Sequence, residues 1–244
     1  MRLLTTICCL LLAASAHAAE RVSLELVLLA DSTGSIDDTE ITFQRQGYAE
    51  AITHPDVLDA ITFSGEGRIA VTYVEWGDYT SQAVVVPWSV IGNAADAEKF
   101  AADLLAVQGR RAFGRNAIGA ALLKGRDMIL ENGIDSFRQV IDLSGDSANN
   151  WNGPTVGDAR TQVLDAGITI NGLAILCRYC ESGRAGSGDL EFRYETEIIG
   201  GPGAFVVTAD DMLQFAAAVR RKLVLEISAK MPERRFAAGS PAGN

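Results

Sequence analysis

The run from Val22 to Ala30, VSLELVLLA, is almost unbroken in apolar side chains and stops abruptly at Asp31-Ser32-Thr33-Gly34-Ser35. Side chains alternate between the two faces of a strand, so a run that is apolar on both must be covered on both. That is the situation of a central strand in a parallel sheet with helices above and below it. The five polar and small residues that follow mark the turn at its carboxyl end.

The rest of the chain agrees with this frame. Asp37 and Asp38 open a helical stretch to about Thr53, their charge suited to the positive end of a helix, with Pro55 just past its end. Arg68 to Trp76 and Gln82 to Val90 flank Gly77-Asp78 and predict a hairpin. Pro87 cannot donate to a ladder, which places the second strand at the sheet edge. Helices are expected over 94–106, 117–131 and 155–166, and from Asp210, as N-cap, to about Ile227. Strands are expected over 138–143, 168–176 and 204–208. The alternation predicts an α/β fold, a doubly wound, mostly parallel sheet with one antiparallel edge strand and helices on both faces.

Hydrophobic residues make up 48% of the 244 and charged ones 21%, enough to build one core from everything between the termini. Residues 1–18, MRLLTTICCLLLAASAHA, carry Arg2, an apolar stretch and the small residues Ala16 and Ala18, the pattern of a secretory signal peptide cleaved after Ala18. The stretch is too short for a comfortable membrane span, so no membrane anchor is expected after cleavage, and the protein is expected in the periplasm or outside the cell. Residues 19–230 then form the domain and 231–244 a disordered tail. Cys8 and Cys9 leave with the signal. Cys177 and Cys180 remain, a C-x-x-C that follows a strand and enters a loop, which suits a disulfide staple better than a redox pair at a helix start. A formal charge of −10 makes nucleic acid a poor partner.

In a doubly wound sheet, ligands gather at the carboxyl ends of the strands where strand order reverses. Asp31, Thr33 and Ser35 place a carboxylate and two hydroxyls at alternate positions of the first such loop. Leu143-Ser144-Gly145-Asp146-Ser147 brings a second carboxylate to a neighbouring strand end. Oxygen donors of this kind suit Mg2+ or Mn2+, with Ca2+ as a further candidate. Asn149, Asn150 and Trp151 share the second loop, where the asparagines either rim a partner site or satisfy turn backbone.

An apolar strand ending in D-x-T-x-S, a mid-chain loop opening a helix, and a later strand ending in Gly-Asp resemble the von Willebrand factor A superfamily over about residues 22–227. The runs VIDLSGDSANN, GITINGLAIL and IIGGPGAFV resemble an exported bacterial branch of it known as a domain of unknown function. The resemblance implies a metal-ion-dependent adhesion site formed by Asp31, Thr33, Ser35 and Asp146, with Asn116 where the superfamily has a threonine. It also implies a protein partner that presents an acidic residue to the metal, in a protein that is not an enzyme. The sequence departs from the pattern at Asn116, at Ser147 in place of a glycine, and at Arg115, whose charge opposes a cation.

Two other functions compete with this one. A metal-free scaffold needs only the fold and an acidic surface. A hydrolase would use the Gly145-Asp146-Ser147 run as a nucleophile loop, but a serine nucleophile wants a histidine base, and His54 is the one histidine after the signal. A phosphatase with Asp31 as nucleophile would want a second acid where Thr33 stands.

Overall fold

The computed structural model describes residues 21–176, 187–210 and 212–229. The signal segment, Cys177 and Cys180, and the tail lie outside the described residues. Elements follow in the order β1 (Arg21–Val22), β2 (Glu25–Asp31), α1 (Asp38–Thr53), α2 (Pro55–Thr62), β3 (Ile69–Trp76), β4 (Gln82–Ile91), α3 (Ala94–Ala106) and α4 (Ile118–Leu130). Then come β5 (Asp135–Ser136), β6 (Gln139–Gly145), α5 (Val156–Asp165), β7 (Thr169–Ile175), α6 (Ser187–Arg193), a π-helical turn (Tyr194–Ile198), β8 (Val206–Ala209) and α7 (Met212–Ser228). Among these residues no helix is long and apolar enough to cross a membrane.

The main sheet has the order β4-β3-β2-β6-β7-β8, and every pair in it is parallel except β3 with β4. This is the doubly wound α/β fold with an antiparallel edge, and Pro87 sits in the edge strand. A small parallel pair, β1 with β5, stands apart. The chain leaves β2 to build β3 on one side and returns to build β6 on the other, so strand order reverses between β2 and β6.

The alternation of β2 divides its side chains between two cores. Leu24, Leu26, Leu28 and Ala30 face a layer made by α1, α2, α3 and α7, with Tyr48, Phe100 and Phe215 at its centre. Val27 and Leu29 face α4, α5 and the π-helical turn, with Trp76 and Tyr194. Each face of the strand is therefore dry, as its unbroken apolar pattern requires.

Local capping explains several boundaries. Asp37 accepts from the backbone N–H groups of Thr39 and Glu40, while the Glu40 carboxylate accepts from Asp37 N at 2.7 Å, a reciprocal capping box at the start of α1. Asn93 and Thr155 cap α3 and α5 by accepting from Asp96 N and Asp158 N.

The first helix ends at Thr53 with Pro55 just past it, as the sequence suggests. Pro55 then occupies the first turn of a further helix, α2, where its missing N–H costs nothing, and His54 Nδ1 caps that helix by accepting from Asp56 N at 3.1 Å. The last helix is described over Met212–Ser228, and Asp211 lies outside the described residues. The segment Ser187–Ile198, for which the sequence patterns gave no element, is helical. Burial of Tyr194 and Ile198 in the second core holds it.

Candidate metal centre

Register sets the site. Ala30 stands opposite Ser144, so the next positions, Asp31 and Gly145, end neighbouring strands at the reversal point, and Asp146 follows immediately. Asp31 belongs to the parity of Val27 and Leu29, which aims its side chain into the second core, where it is fully buried.

Four of the five expected ligands are joined by contacts. Asp31 Oδ1 accepts from Thr33 N at 2.8 Å, Thr33 Oγ1 and Ser35 Oγ share a hydrogen bond of 2.8 Å, and Ser35 Oγ donates to Asp146 Oδ1 at 3.3 Å. The other oxygen of Asp31, Oδ2, is buried with no hydrogen-bond partner. Asn116 lies outside this chain of contacts. Its loop is fastened to the first one by Gly34 N donating to Gly114 O at 2.8 Å, and its own carbonyl accepts from Trp151 N at 2.8 Å. The Asn116 side chain is buried and its Nδ2 has no partner.

Burial, and then the charge of Asp146, push the Asp31 carboxyl up to about 7 against the pull of the Thr33 N–H and hydroxyl and of the Asp146 N–H. Among the described residues Asp31 forms no salt bridge. Asp31, Thr33, Ser35 and Asp146 bring two carboxylates and two hydroxyls together, an all-oxygen set of the kind that suits a divalent ion. Histidine and cysteine are absent from the set, so its chemistry favours a hard cation.

The backbone of the first loop is pinned from below by residues that sequence patterns did not single out. Arg110 donates to Thr33 O at 3.0 Å and Ser32 O at 3.3 Å, and also to Ile36 O. Ser32 Oγ donates to Ala112 O at 2.8 Å. Buried Glu75 accepts from Arg45 Nε at 2.9 Å and from Arg111 N at 2.7 Å, and Arg45 also holds the carbonyls of Val107 and Gly109. The charge pattern of the segment 107–111 hints at an anion beneath it, but nothing local points to Glu75 or Arg45.

Arg115 is exposed, and its guanidinium lies 5.0 Å from the centre of the Trp151 ring. Asn150 is a structural cap: its Oδ1 accepts from Gly119 N at 3.1 Å and its Nδ2 donates to Pro154 O at 3.0 Å. The hydrolase arrangement is missing from the described residues. Ser147 Oγ accepts from Asn149 N, and His54 lies beyond the far end of the 16-residue α1, about 24 Å along the helix axis.

A doubly wound sheet with this loop at its reversal point defines a von Willebrand factor A-like domain. Residues 21–231 match the family model described as "Protein of unknown function (DUF1194)", and the chain belongs to that family. No curated protein matches it at the sequence level. Among solved structures it is similar to proximal thread matrix protein 1 of the mussel byssus, determined with a zinc-occupied MIDAS motif, with TM-score 0.58 and 16% identity over 86% of this chain and 49% of that one. It is also similar to the pilus adhesin SpaC of Lactobacillus rhamnosus GG, with TM-score 0.56 and 14% identity over 84% of this chain and 31% of that one. The vWF domain of the type V pili tip protein Mfa5 of Porphyromonas gingivalis has TM-score 0.54 and 9% identity over 87% of this chain and 98% of that one. At these identities the likeness establishes the fold. This chain spans about a third of the length of SpaC and half that of the mussel protein.

Proposed function

We propose that this protein is an exported protein-binding module that holds a divalent cation at Asp31, Thr33, Ser35, Asn116 and Asp146. The observation that carries the proposal is the fully buried Asp31, whose Oδ2 lacks a hydrogen-bond partner and whose carboxyl feels the charge of Asp146. A bound cation would offset the repulsion between the two carboxylates. The donors are oxygens, which favours Mg2+ or Mn2+, with Ca2+ third. A half-turn of the Asn116 amide exchanges its unpartnered Nδ2 for Oδ1 and makes that residue an additional donor.

A bound cation supplies an electrophile for an anionic oxygen, and a partner's Asp or Glu side chain is the matching group. The surroundings support docking of a protein surface. Tyr79, Phe113 and Trp151 are 54%, 59% and 60% exposed on three loops that touch one another beside the site. Exposed aromatic side chains around a charged centre are typical anchors of an interface. Adhesion is also what SpaC and its pilus setting suggest for the class.

Calorimetric titration with Mg2+, Mn2+ and Ca2+, alongside an Asp31→Ala variant, tests the proposal. Saturable binding that the variant abolishes is expected. An unchanged heat signal and melting temperature at millimolar metal would leave the scaffold function in its place.

A further inference from the structure

Two polar atoms without partners lie against the same glycine. A Cβ built on Gly145 would stand 3.0 Å from Asp31 Oδ2 and 3.0 Å from the Tyr194 hydroxyl, so the two oxygens are within about 6 Å of each other. Trp76 Cζ2, at 3.2 Å from the same point, closes a third side. Both residues are fully buried and both oxygens lack hydrogen-bond partners. One is an acceptor and the other carries a proton to give.

The segment that delivers Tyr194 also reaches the second carboxylate loop. Arg193 donates to Ala148 O at 3.2 Å and Asn149 Oδ1 at 3.1 Å, just past Asp146, and is itself held by Glu197 at 2.9 Å. The neighbouring residues 193 and 194 therefore face both site loops from outside the motif.

We propose that Tyr194 is a positioning residue of the cation site, its phenol O–H donating to Asp31 Oδ2 directly or through one water. Resting on the metal-binding function proposed above, this gives Asp31 Oδ2 a donor from outside the motif, beside the Thr33 N–H on Oδ1. The carboxylate is thereby oriented, with lone pairs left for the cation. The π-helical turn that begins at Tyr194 puts the ring there, in keeping with the frequent placement of such turns at functional sites.

Tyr194→Phe removes one oxygen from a ring whose packing stays the same. In the full protein it is expected to weaken Mg2+ or Mn2+ binding about tenfold or more, the usual effect of losing a ligand's supporting hydrogen bond, while far-UV and near-UV circular dichroism stay unchanged. Binding equal to wild type overturns the proposal. A second measurement needs no metal: in EDTA, a slowly exchanging hydroxyl proton should be present in the NMR spectrum, vanish in Tyr194→Phe and shift in Asp31→Asn. A missing hydroxyl signal, or one indifferent to Asp31→Asn, also overturns it. If wild type binds no cation, the metal-binding function falls, and the hydroxyl signal still decides whether the contact exists.

Discussion

Asp31 and Asp142 are both strand carboxyls, both buried, and both pushed up to about 7, chiefly by burial. They face opposite sides of the sheet and meet different company. Asp142 looks toward α7, where Lys222 Nζ lies 2.9 Å away and also pairs with Glu226, which in turn accepts from Asn171 at 2.9 Å. Asp31 looks toward Tyr194 with hydroxyls and Asp146 around it and no ammonium or guanidinium bonded to it. Burial alone does not distinguish a structural carboxylate from a ligand. Among the described residues what distinguishes them is the counter-charge bonded to each: Asp142 has Lys222, and Asp31 has none.

The sharpest break of this comparison is removal of the lysine. Lys222→Met leaves Asp142 and Glu226 buried without their cation and is expected to cost about 3–5 kcal/mol in urea unfolding. Asp31→Asn, measured in EDTA, should be neutral or stabilising because it removes a charge that has no partner. Equal losses in the two variants would erase the distinction.

The next effect is a pH dependence. The groups facing Asp142 are Lys222 and Glu226 on α7 and Tyr48 on α1. Its native pKa lies above the unfolded one, so the folded state binds the proton more tightly. That contribution to stability is full below about pH 4, declines as pH rises toward about 7, and is absent above. In an Asp31→Asn background, unfolding midpoints from pH 4 to 8 should fall with pH, and Asp142→Asn should flatten the decline.

A smaller change tests the shared space beneath Asp31. Gly145→Ala brings a methyl group to 3.0 Å from both Asp31 Oδ2 and the Tyr194 hydroxyl. It should cost about 1–3 kcal/mol by overpacking and lower metal affinity. The smallest effect belongs to Arg115, whose exposed guanidinium lies against Trp151. Arg115→Ala should change metal affinity by about twofold or less, since solvent screens its charge. A gain of tenfold would show that this residue, rather than the donor set, limits binding.

Local signals recovered most of the architecture. The two-faced apolar run of β2, the hairpin with Pro87 on its edge strand, and the starts of α1 and α5 depend on residues within a few positions of one another. The Asp31-Thr33-Ser35 group was legible for the same reason, because one tight loop aims all three side chains. Asp146 followed from strand order. The helix that starts at Pro55 was not legible, because the cap at His54 and the packing of α2 against the core decide it.

The sequence by itself determined the sheet, its central strand and the loop that carries Asp31, since periodicity and turn chemistry act over short spans. Only the tertiary structure decided which buried charges are answered: Lys222 reaches Asp142 across 80 positions of chain, Arg45 reaches Glu75 across 30, and Tyr194 arrives beside Asp31 on a turn with no motif of its own. Contacts at such separations arise from the packing of helices on the two sheet faces. A side chain's charge partner is therefore settled by which face it enters, and that is known only once the sheet is assembled.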